Sequence, residues 1–200
     1  FVSSIMIGLT VDPSWWGVMM ILSLIGSFGA IVGTVSSSSN KRLISCGVPV
    51  FLGFGTVPII AITSLIDEAI IIYSGIGTVL IFLVLHLHAV KAPVGQYSNI
   101  GGLLYSSLTT LIYVSIFSMI FSLDMLETFE LIAGLLLFCG FIAYDTNMMV
   151  TRAYHCEFTE EQREMMIIFD AMNLFLDAVN LFVRLMRLFM KLAKNKSKRN

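Results

Sequence analysis

LIAGLLLFCGFIAYDTNMMVT, residues 131–151, decides the fold class. It is apolar enough and long enough to cross a bilayer, and Asp145 is its one charged residue. A helix needs about 20 mostly apolar residues to traverse the hydrocarbon core. Upstream, the intervals 13–40, 43–66, 69–90 and 92–123 carry no charge at all, and each reads as one crossing. Downstream, residues 165–183 form a sixth segment, interrupted by Asp170 and Asp177. Phe1–Val11 is apolar but short and reads as the tail of a further span, so the parent architecture is expected to have seven segments. Polar backbone in lipid must be satisfied within the protein, and a barrel would show short alternating strands, so every segment is expected to be helical.

Composition agrees. Hydrophobic residues make up 57% of the 200 and charged residues 12%, with a mean hydropathy of +0.90. Soluble domains carry about 25% charge, so this chain has too little polar surface to be one. Ten of the 25 charges lie in 1–150 and fifteen in 151–200, so the net charge of −1 conceals an oily body with a charged last quarter. The organisation expected is a single helical bundle over 1–190 and a basic tail over 191–200. The only basic cluster is that terminal run, which gives nucleic acid no footing. Three widely spaced cysteines imply no disulfide framework, and Cys46 and Cys139 read as packing residues. Gly26, Gly29 and Gly33 are spaced for close helix approach, and Gly53, Gly55 and Pro58 for a bent or thinned helix.

Orientation is less simple. Lys41, Arg42 and Lys91 mark cytoplasmic loops, and the acidic loops at 67–68 and 124–130 the opposite side. Alternation then places the C-terminus outside, whereas Lys191, Lys194, Lys196, Lys198 and Arg199 place it inside. The last segment either stops short of a full crossing or is shielded from lipid. Its polar residues Asp170, Asn173, Asp177, Asn180, Arg184, Arg187 and Lys191 recur every three or four positions, which makes one stripe on one helix face. That stripe fits a polar interior better than an interfacial helix, although the second reading stays open.

Carboxylates inside spans cost about 2.5–3.5 kcal/mol on insertion scales and mark function by default. If the last two helices are antiparallel neighbours, Asp145 and Asp177 reach similar depth. Two adjoining buried carboxylates would share one proton, and their deprotonated form would offer hard oxygens to a divalent cation. Such a pair is a proton sensor and a transient site for a divalent cation. Asp170 reads as a mouth-lining residue, with Asn173, Asn180, Arg184 and Arg187 as a supporting stripe. The alternative is a structural ion pair of Asp145 with Arg152 or Arg184. His86 and His88 lie about 200° apart on a helix and read as interfacial anchors rather than metal ligands. His155–Cys156 lacks a second ligand pair at zinc spacing. Trp15 and Trp16 mark an interface, and Thr159 with Gln162 reads as a capping box. No resident cofactor is implied.

GLLLFCGFIAYDTNMMV (134–150), followed by DAMNLFLDAVNLFVRLMRLF (170–189), resembles the signature end of the transmembrane Bax inhibitor motif family. GFGTVP and the tail KLAKNKSKRN resemble its eukaryotic Bax inhibitor branch. The resemblance implies six helices around a central C-terminal helix, a pH-sensitive calcium leak in the endoplasmic reticulum or a related membrane, and suppression of cell death. By motif position, Asp145 and Asp177 match the family's paired aspartates, which share a proton and couple pH to opening, so the resemblance implies that they are the pH-sensing, ion-pathway residues and a transient Ca²⁺ site. No internal Arg or Lys in the apolar helices could latch the pair, leaving Arg184 and Arg187 as candidates. Two competitors remain. One is a non-conducting adaptor for apoptosis-regulating membrane proteins or other channels. The other is an intramembrane aspartyl protease, for which Tyr144–Asp145 is suggestive; the Gly-x-Gly-Asp and Pro-Ala-Leu of that chemistry are absent, so the chain is expected not to be an enzyme.

Overall fold

The computed structural model describes residues 2–36, 46–121, 124–155 and 158–197. Among them the chain is all-α: α1 (Val2–Leu9), α2 (Trp16–Ser36), α3 (Gly47–Ile66), α4 (Glu68–Lys91), α5 (Gly101–Phe121), α6 (Asp124–His155) and α7 (Glu160–Ser197). Six segments are long and apolar enough to cross a membrane: Pro13–Thr34, Gly47–Ile66, Glu68–Lys91, Ser98–Ser118, Leu126–His155 and Glu160–Lys196. The protein is therefore an all-α, multi-pass membrane protein. Each expected crossing has its helix, and the short apolar start of the chain supplies α1. Leu65, Leu24, Val84 and Phe28 are among many large apolar side chains left exposed, as a lipid-facing surface requires.

Local chemistry explains where the helices begin. Asp12 accepts from the Ser14 amide at 2.9 Å, and Pro13 opens a 3₁₀ turn leading into α2; proline suits a first turn because its missing N–H would have no partner there. Thr159 and Gln162 form the expected capping box at α7: Gln162 N donates to Thr159 Oγ1 (3.3 Å) and Thr159 N to Gln162 Oε1 (3.1 Å). Several buried hydroxyls inside the spans return to their own helix. Thr34, Ser74 and Thr78 donate to the carbonyls of Ala30, Ile70 and Ser74 at 2.7–2.8 Å, so these three hydroxyl protons are satisfied in a dry interior.

The helices form two compact units, Phe1–Glu68 with Phe158–Phe175, and Ala69–Glu157 with Leu176–Asn200. In the first, α2 packs on α3 and α1 on α3, and Ala30, Val48 and Met172 share a core. Gly26 lies against the Phe51 ring and Gly55 against Ser23, so the GFGTVP stretch thins α3 where α2 approaches; Pro58 sits within the continuous helix. Two expectations change here. Nothing lies close to Gly29, and Cys46 is exposed at the start of α3 because the helix begins one residue after it. Its thiol therefore escapes the packing that its apolar flanks suggested.

The second unit contains α4, α5, α6 and the C-terminal part of α7. Leu111, Leu137, Phe138 and Phe141 join α5 to α6. Ile142, Leu181 and Leu185 join α6 to α7, with Ile81, Phe82 and Leu85 of α4 against them. Both aspartates of the candidate pair lie in this unit.

Candidate functional site

α6 and α7 meet antiparallel, since contacts that advance along α7 retreat along α6. Ile142 shares a core with Leu181 and Leu185, the Arg184 guanidinium lies 5.1 Å from the centre of the Phe138 ring, and Lys191 Nζ is 2.7 Å from Glu127 Oε2. In that register Asp145 comes opposite Asp177. Their carboxyl groups are hydrogen-bonded and in direct electrostatic contact. Asp177 is buried, at 6% exposure, and Asp145 is half-buried.

Two carboxyls can hydrogen-bond only when one carries a proton, because a carboxylate has no donor. Asp177 Oδ2 is buried and has no hydrogen-bond partner among the described residues. A spare carboxyl oxygen in a dry site is costly; a hydrogen-bond donor or a cation would satisfy it.

Tyr105 on α5 belongs to the same electrostatic cluster, with Asp145, Tyr144, Asp177 and Arg152 as its neighbours. Its ring stands edge-on to Phe141 at 5.3 Å and to Tyr144 at 6.4 Å between centres. Tyr144 in turn crosses Gly101, where an added Cβ would come within 2.6 Å of the phenol oxygen. The absent side chain at Gly101 is what lets the start of α5 close over Tyr144.

The two residues after Asp145 anchor it. Thr146 and Asn147 are fully buried. Thr146 Oγ1 is 3.0 Å from His86 Nδ1, and the imidazole stacks on Phe82. Asn147 Nδ2 donates to Ala89 O (3.3 Å) and Pro93 O (3.1 Å), while its Oδ1 accepts from Tyr97 N (3.2 Å). One turn on, Thr151 Oγ1 accepts from Gly95 N at 2.8 Å, at the glycine whose φ of 75° turns the α4–α5 connection. A span end carrying free carbonyls and amides is thus closed by side chains of α6, as buried backbone requires.

The remaining stripe residues separate. Asp170, 7% exposed, and Asn173 lie in the first unit. Asn180 is exposed and donates to its own helix at Leu176 O, 3.0 Å away. Arg184 donates from Nη1 to Glu130 O at 3.1 Å, well up α6 from Asp145, and Arg187 is exposed. The steps of three and four put the stripe on two rows about 60° apart, Asp170, Asp177, Arg184 and Lys191 on one and Asn173, Asn180 and Arg187 on the other, so its members face different surroundings. His86 faces Thr146, while His88 is exposed. Cys156 falls outside the described residues. Among the described residues no cluster of three or more His, Cys, Asp or Glu could hold a metal. Tyr105, Asn147 and Thr151 were not singled out by the sequence; an amide and two hydroxyls beside an intramembrane acid were the available signal.

Residues 1–195 match the family model described as inhibitor of apoptosis-promoting Bax1. Among curated relatives, the chain is 33% identical over 138 residues to a probable Bax inhibitor 1 of Paralichthys olivaceus, covering 66% of this chain and 58% of that protein. It is 30% identical over 118 residues to Bax inhibitor 1 of Drosophila melanogaster, covering 59% and 48%. Against Bax inhibitor 1 of Arabidopsis thaliana it is 29% identical over 165 residues, covering 80% and 67%. The matched part spans about half the length of the first two.

Proposed function

From the premise that this chain belongs to the Bax inhibitor family, we propose that it is a pH-sensitive calcium leak of an intracellular membrane, the endoplasmic reticulum above all, with a cell-death-suppressing role. The hydrogen-bonded Asp145–Asp177 pair carries the reading. Holding one proton, the pair keeps α6 and α7 bound together through a charge-assisted bond, which is stronger than a neutral one. Without that proton, two carboxylates would repel each other and present hard oxygens suited to Ca²⁺. Proton and calcium ion therefore compete for the same oxygens. The relatives' names support the cell-death role, and apoptosis-regulating membrane proteins are its natural partners. No resident cofactor enters; Ca²⁺ is cargo, and the carboxyls do no covalent chemistry.

Ca²⁺ entry into proteoliposomes of the purified chain, followed from mildly acidic to mildly alkaline medium, tests the reading. A flux that varies with pH is expected. Absence of flux at every pH would overturn the leak and leave a non-conducting adaptor.

A further inference from the structure

The pair's alignment depends on how α7 is set along α6, and apolar packing alone fixes that poorly. Leu181 and Leu185 both contact the same apolar core as Ile142, and leucines on a smooth surface tolerate sliding. Two turns beyond Asp177, a polar contact supplies a fixed point. Arg184 Nη1 donates to the Glu130 carbonyl at 3.1 Å, and the guanidinium lies over the Phe138 ring, 5.1 Å from its centre. It also occupies the space above Gly134, where any Cβ would overlap its carbon and nitrogens. Glu130 is held from another side, since Ser115 Oγ on α5 donates to Glu130 Oε2 at 3.1 Å.

We infer that Arg184 is a positioning residue: its guanidinium, seated over Gly134 and bonded to Glu130, sets the register in which Asp177 meets Asp145. The planar guanidinium suits this, because it stacks on a ring face and donates in its own plane at once. A lysine would supply charge without the flat stacking surface. A shift of α7 by one turn would carry Arg184 about 5.4 Å from Gly134, into a helix surface bearing side chains. Register and pair are thus coupled through one residue that touches neither carboxyl. The functional consequence rests on the proposed leak; the register itself does not.

The test is disulfide formation between Asp145→Cys and Asp177→Cys in the full chain in membranes, with Cys46, Cys139 and Cys156 replaced by serine. With Arg184 in place, ready cross-linking is expected. Arg184→Gln should slow it about fivefold or more. Gly134→Ala should do the same with every charge retained, because its methyl displaces only the mobile end of the arginine. The double variant should be no slower than either single one, and Lys194→Gln on the exposed C-terminal turn should change nothing. Cross-linking that ignores both substitutions, or two effects that simply multiply, would overturn the inference. So would failure to cross-link with Arg184 intact. A parallel Ca²⁺ flux assay on Arg184→Gln with both aspartates present should show an altered pH profile. If no version conducts, the leak fails while the cross-linking result still decides the role of Arg184.

Discussion

The carboxyl of Asp145 on α6 is hydrogen-bonded to that of Asp177 on α7, and one oxygen of Asp177 is left buried with no partner among the described residues. On the proposed reading, two adjoining acids form a site with a variable proton count. Arg184, the cation nearest in the stripe, is engaged with Glu130 instead.

Asn147 should matter more for stability than any other polar residue of α6. It makes three hydrogen bonds to backbone groups of the α4–α5 connection from a fully buried position. Asn147→Ala strands those groups and should cost about 3 kcal/mol or more, given about 1–3 kcal/mol for each buried group left unsatisfied. Thermal unfolding in detergent should show a loss of several degrees, and a change of less than one degree would contradict the clamp.

Gly101→Ala should destabilise the second unit by about 1–3 kcal/mol, the usual penalty for overpacking, because its methyl would press on the Tyr144 phenol. Gly75→Ala is the control, since nothing lies within 4 Å of that position. Equal melting temperatures for the two variants would contradict the close approach of α5 to Tyr144.

Thr159→Ala should fray the start of α7. Loss of a capping hydroxyl costs about 0.5–2 kcal/mol, and here it removes the acceptor for Gln162 N. Amide exchange should accelerate over residues 160–164 and stay unchanged around Asp177. Uniform acceleration along α7 would show instead that the cap supports the whole helix.

Asp12 gives the entry to α2 an acid limit. The Ser14 backbone amide, then its side chain, holds this exposed carboxyl below its ordinary value of 3.8. A group depressed in the folded state stabilises fully above its unfolded value, and the contribution is lost as pH falls through the folded one. The turn at Pro13–Trp15 should therefore loosen only in strong acid, read as faster amide exchange at Ser14. Asp12→Asn should remove that acid step while keeping the cap, because an amide oxygen still accepts.

Much of the fold was legible because bilayer physics leaves few choices. Charge-free intervals such as 69–90 map onto helices such as α4 almost residue for residue, and Thr159 with Gln162 announced the start of α7. Asp145 and Asp177 stood out because charge is expensive inside a span. What stayed hidden depends on side chains meeting across helices. Nothing local says that Asn147 faces the turn after Lys91, that Tyr105 stands beside the acids, or that the Arg184 guanidinium lies over Gly134. The stripe on α7 misled for a related reason: alternating steps of three and four look like one face in the sequence but lie on two rows about 60° apart. Exposed Asn180 and half-buried Asn173 are the result.

The most direct test of the proton-sharing gate is the pH profile of Ca²⁺ entry into proteoliposomes for Asp177→Asn and Asp145→Asn beside the unaltered chain. Asparagine keeps the shape and some hydrogen bonding but cannot gain or lose the shared proton. The account expects a pH-dependent flux in the unaltered chain and a flat profile in both variants. A variant profile that keeps the original midpoint would contradict it.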